Sequence, residues 1–102
     1  MKTQIQFVNT DSQISAEQLV QRKLDKLENK YDFIISADVL FKEENDNTGK
    51  GKTCAIRLSL PGPIIHASSN EESFEAAAAE SVKDVEKQLK RKKEEMKDHQ
   101  QR

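Results

Sequence analysis

The stretch SFEAAAAESVKDVEKQLKRKKEEMKDHQQR, residues 73–102, decides the fold. Phe74, Ala78, Val82, Val85, Leu89 and Met96 recur in it at helical spacing and form one apolar stripe. At about 100° per residue, Lys83, Lys87, Lys90, Arg91 and Lys97 fall on the other side of the same helix. Ser69 and Ser73 are both candidate N-caps, and Ser73 is preferred because the apolar period begins at Phe74. Glu71, Glu72 and Glu75 sit near the start and the lysines toward the end, the arrangement the helix dipole favours. A helix that packs by one face and presents lysines on the other can hold a polyanion.

Working back toward the N-terminus, Pro61-Gly62-Pro63 marks a tight turn. A short strand, Ile64–Ser68, follows it. Before it, Thr53–Leu60 alternates Cys54, Ile56, Leu58 and Leu60 with Thr53, Ala55, Arg57 and Ser59, which reads as a half-buried strand. Asn45–Gly51 is a polar hairpin loop joining that strand to another, Ile35–Glu44, whose Ala37, Val39 and Phe41 share a face. Further back, Ser15 with Gln18 makes a capping-box pattern, and Ile14 with Leu19 is spaced for a hydrophobic staple. The helix they introduce buries Val20, Leu24, Leu27 and Tyr31 and turns Arg22, Lys23, Lys26 and Lys30 outward. Thr3–Asn9 alternates around Ile5 and Phe7 as a first strand. The order is therefore β-α-β-β-β-α. An α+β fold is expected: a two-layer sandwich in which two helices cover one face of a four-stranded sheet and the other face is solvated.

The chain has 102 residues, enough for one domain, expected over 1–96 with a polar, frayed tail at 97–102. It carries 17 Lys+Arg against 18 Asp+Glu, a net charge of −1. The balance is uneven. From Ser81 onward eight basic residues face five acidic ones, while the rest of the chain has nine and thirteen. Such a dipole favours oriented docking on an anionic surface, although a solvated helix laced with i,i+4 pairs produces the same pattern. No apolar run is long enough to span a membrane, and Met1–Gln6 lacks the apolar core of a signal peptide. The single cysteine, Cys54, excludes an internal disulfide. A cytoplasmic location is expected.

Catalytic chemistry has little to stand on. Cys54 falls on the apolar side of a strand and reads as a buried structural thiol. His66 and His99 are far from it and from each other, so no metal-ligand spacing exists. Gly49, Gly51 and Gly62 lie in hairpins rather than between a strand and a helix, which excludes a phosphate-binding loop. No cofactor, metal or small-molecule substrate is expected. The basic helix remains. With few aromatics for base stacking, its lysines suit phosphates of a folded RNA, recognised by charge and shape.

Several local words, in order, carry a resemblance. They are Leu24-Asp25-Lys26-Leu27-Glu28 followed by Tyr31-Asp32, Ile65-His66-Ala67-Ser68, Ala76-Ala77, and Lys87-Gln88-Leu89-Lys90-Arg91-Lys92-Lys93. With the β-α-β-β-β-α order, they make the chain resemble the short hibernation promoting factors and ribosome-associated inhibitors of bacteria, the sigma modulation family. The resemblance implies a fold like the double-stranded-RNA-binding domain and docking on the small ribosomal subunit between head and body. There the tRNA and messenger RNA sites are occluded and idle ribosomes are silenced as part of a stress response. It places RNA contacts at Lys87, Lys90, Arg91 and Lys93 and at Lys23, Lys26 and Lys30, to which the periodicity adds Lys83 and Lys97. His66 is typical of the family and is read as structural. Asp84 and Glu95 stand where many relatives are basic, and Glu75 where an aromatic is frequent. The second domain by which long-form relatives pair ribosomes is not expected in the chain, so a role in pairing would need a separate ribosome-dimerising factor or be absent. The rival expectation is a protein-interaction module whose second helix projects and pairs through its Met96 end with another helix.

Overall fold

The computed structural model describes the backbone of residues 1–100 and the side chains of residues 1–96. Six elements follow one another: β1 (Lys2–Val8), α1 (Ile14–Lys30), β2 (Ser36–Glu43), β3 (Lys52–Ser59), β4 (Ile64–Glu71) and α2 (Phe74–Gln100). The sheet has the order β1-β2-β3-β4. β1 runs parallel to β2 because α1 carries the chain back across the sheet, and β2, β3 and β4 form an antiparallel meander. The expected two-layer α+β sandwich is the observed fold. The expected tail at 97–102 falls on residues whose side chains lie outside the description.

Alternation along the strands sends one side chain in two to the helices. Ala37, Val39 and Phe41 of β2, Cys54, Ile56 and Leu58 of β3, and Ile65 and Ala67 of β4 are buried. They meet Ala16, Val20, Leu24 and Leu27 of α1 and Phe74, Ala77, Ala78, Val82, Val85 and Leu89 of α2 in one core. Phe41 is the hub at one end. Its ring stacks on Phe7 at 4.8 Å between centroids and takes Phe74 edge-on at 5.4 Å. α2 lies over β3 and β4 and against α1. Its helix start is as expected: the Ala76 amide donates to Ser73 Oγ at 3.1 Å.

Two local expectations are corrected. α1 begins at Ile14, with Gln13 as an N-cap that makes no side-chain hydrogen bond. Ser15 is therefore already inside the first turn. Its hydroxyl donates instead to Glu75 Oε1 of α2 at 2.9 Å, and Ile14 is 70 % exposed, so neither capping box nor staple forms. β4 runs on to Glu71 rather than ending at Ser68. Its polar second half is held by pairing with the start of β3, Thr53 opposite Asn70 and Lys52 opposite Glu71. The Asn70 side chain also accepts from the Gly51 amide at 2.8 Å. Gly51 takes φ +124, a left-handed conformation that favours glycine at this hairpin corner.

Candidate nucleic-acid interface

On α2, Lys83, Lys87 and Lys90 follow each other at i, i+4, i+7 and so share one flank of the helix. Lys93 continues that flank. On α1, Lys23, Lys26 and Lys30 repeat at i, i+3, i+7, beside the buried Leu24 and Leu27. Because the two helices pack side by side, the two rows face a common trough. A groove of about 510 Å³ is lined by Lys30, Tyr31, Lys83, Glu86, Lys87, Lys90, Lys93 and Glu94. A second hollow of about 360 Å³ continues along α1, lined by Lys23, Lys26, Leu27, Lys30, Val82 and Glu86. The two share Lys30 and Glu86.

The lysines of this trough are not equivalent. Lys30 Nζ donates to Glu86 Oε2 at 3.0 Å. That hydrogen bond, then the charge of Glu86, holds the Lys30 ammonium above the ordinary lysine range. Lys93 Nζ donates to the Lys30 carbonyl at 3.4 Å, at the end of α1 where the helix dipole favours a cation. The same ammonium stands 5.5 Å from the centre of the Tyr31 ring, and Lys30 stands 6.0 Å from it. Tyr31 is itself buried and forms the floor. Lys83, Lys87 and Lys90 are exposed and enter no ion pair among the described residues. They project from a rigid helix with their charges unspent, which is the arrangement that neutralises phosphates and releases counterions.

Of the residues expected to contact RNA, the fold thus gathers Lys30, Lys83, Lys87, Lys90 and Lys93 in one groove and places Lys23 and Lys26 in its extension. Arg91 is exposed but does not line the groove, since one residue's turn from Lys90 carries it about 100° around the helix. The Lys97 side chain lies outside the described residues. Tyr31 and Glu86 belong to the site and were not expected there. Tyr31 carried only a core signal, and Glu86 carried none beyond its place among lysines.

Elsewhere the chemistry is quiet. Burial pushes the Cys54 thiol up to about 12, with the neighbouring Ser81 hydroxyl acting in the opposite direction. A thiol so disposed is a poor nucleophile. No group of three or more His, Cys, Asp or Glu among the described residues could hold a metal ion, and no helix is long and apolar enough to cross a membrane. The His66 side chain is exposed on the uncovered face of the sheet, opposite Arg57 in register. Its backbone is structural: the His66 carbonyl accepts from Gln88 Nε2 at 3.0 Å, tying β4 to α2.

The sequence model of a family described as sigma 54 modulation protein / S30EA ribosomal protein matches residues 3–97. No curated protein matches the chain by sequence. Among solved structures, the chain is similar to a ribosomal subunit interface protein from Coxiella burnetii. The TM-score is 0.78 at 22 % identity, over 91 % of this chain and 98 % of that one. It is also similar to the N-terminal domain of Protein Y from Thermus thermophilus, with a TM-score of 0.74 at 22 % identity, over 89 % of this chain and 98 % of that domain. At that identity the likeness establishes a shared fold.

Proposed function

The chain belongs to the sigma 54 modulation protein / S30EA ribosomal protein family, and we propose that it is a non-enzymatic factor that docks on the small ribosomal subunit. The lysine trough between α1 and α2 meets ribosomal RNA phosphates. The bulk of the domain then stands where tRNA and messenger RNA would pass, so idle ribosomes are silenced by occlusion. Nothing in this action needs a cofactor or a bond to be made. The observation that carries it is the convergence of lysines from two helices on one concave surface, with Lys83, Lys87 and Lys90 unpaired among the described residues. The name of one structural relative, a ribosomal subunit interface protein, is in keeping with this role.

The rival, a module that pairs its second helix with a partner helix, has less behind it. Met96 is half-buried, and Arg91 to Glu95 around it are all charged, which leaves no apolar seam at that end of α2.

Changing Lys83, Lys87 and Lys90 together to Glu tests the proposal. The variant should keep its fold, because all three side chains are exposed, and should no longer co-sediment with small subunits at moderate salt. Undiminished co-sedimentation would remove the groove from the docking surface.

A further inference from the structure

The geometry points to Glu86 as an internal stand-in for an RNA phosphate, which occupies Lys30 and limits how tightly the trough holds RNA. The inference rests on the trough being the RNA-docking surface. Among the described residues, Lys30–Glu86 is the only ion pair joining α1 to α2. It stands where the two hollows meet, since both are lined by the same two residues. A phosphate bridging the α1 lysines to the α2 lysines must pass over it. The pair is also reachable: the Lys30 side chain is 66 % exposed and that of Glu86 is 36 % exposed.

The consequence follows from counterion release. A free lysine sheds a condensed counterion from RNA when it neutralises a phosphate, and this is the source of its salt-dependent affinity. Lys30 already has its anion. If the pair stays closed, Lys30 adds nothing to docking. If it opens, the carboxylate is left beside the incoming phosphate and repels it. In either case Glu86 lowers affinity, which keeps a dock built from many lysines reversible. Glu94, on the same groove, makes no ion pair among the described residues and does not hold a lysine in this way.

Glu86→Gln tests this without emptying the site, because the amide keeps the size and can still accept from Lys30. Small-subunit binding of the variant should tighten about five- to tenfold at low salt, and its plot of log affinity against log salt should steepen by about 0.7–0.9, one further phosphate contact. Glu94→Gln should leave the slope unchanged. In a Lys30→Gln background, Glu86→Gln should lose most of its effect. Weaker or unchanged binding of Glu86→Gln would overturn the inference and make Glu86 a residue that positions Lys30. An equal gain with and without Lys30 would also overturn it, since Glu86 would then act by general repulsion. The triple glutamate variant separates the two levels. If it loses binding while Glu86→Gln gains none, only this inference fails. If it still binds, the trough itself is misassigned.

Discussion

Ser81 Oγ donates a 2.6 Å hydrogen bond to the Cys54 carbonyl, and Ser81 is the one fully buried polar side chain among the described residues. The bond joins the middle of α2 to the centre of β3. It lies beside Ala77 and Ala78, which are also fully buried. These small residues let α2 settle close to the sheet, and the depth of that seat fixes where its lysine flank emerges relative to α1. Ser81→Ala should therefore cost about 1 kcal/mol, the net worth of a buried neutral hydrogen bond. For a domain of this size, that lowers the thermal midpoint by about 4–8 °C. An unchanged midpoint would show that the bond is incidental.

Leu89 is fully buried near the last turn of α2 that contacts the core, whereas Met96 is half-buried. Leu89→Ala should lower unfolding stability by about 2–5 kcal/mol, visible as a drop in the urea midpoint. Met96→Ala should do much less. Equal effects of the two would place the boundary between packed and projecting helix elsewhere.

The Cys54 thiol, at about 12 against an ordinary 9.0, remains protonated in the folded protein long after the unfolded chain would have ionised. A folded value that is raised contributes stability below the unfolded value and loses it as pH climbs toward the folded one. Between about pH 9 and pH 12 this group alone should erode stability by at most about 1.4 kcal/mol per pH unit. At pH 8 the native protein should resist a thiol reagent and react on addition of denaturant. Rapid labelling of the native protein would show that Cys54 is not sealed beneath α2.

Much of this was legible in the residues. The stripe from Phe74 to Leu89 and the alternation at Ala37–Phe41 and Cys54–Leu58 report burial directly, because period and face are properties of one element. The errors arose where one element answers to another. Ser15 looks like an N-cap until Glu75, sixty residues on, takes its hydroxyl. Ser69 to Glu71 look too polar to extend the strand past Ser68 until β3 supplies partners. The lysines showed which side of each helix was basic but not how the helices abut. Helix contact decides that Lys30 meets Glu86 across 56 residues and that Arg91 turns away from the trough.

That last point separates neighbours. Lys87→Glu should weaken small-subunit binding more than Arg91→Glu, since only Lys87 lines the groove. Competition between each variant and the unaltered protein for a limiting amount of subunits would rank them. The reverse order would mean that RNA approaches α2 from the side of Arg91.

The most direct test of the docking account is the affinity of the unaltered protein for purified small subunits, followed by sedimentation across a series of salt concentrations. With Lys83, Lys87 and Lys90 on α2 and Lys23 and Lys26 on α1 each neutralising a phosphate, log affinity should fall with log salt at a slope of about −3 to −5. Co-migration at low salt should be lost at high salt. Binding that ignores salt, or no co-migration at any salt, would contradict an RNA-docked factor.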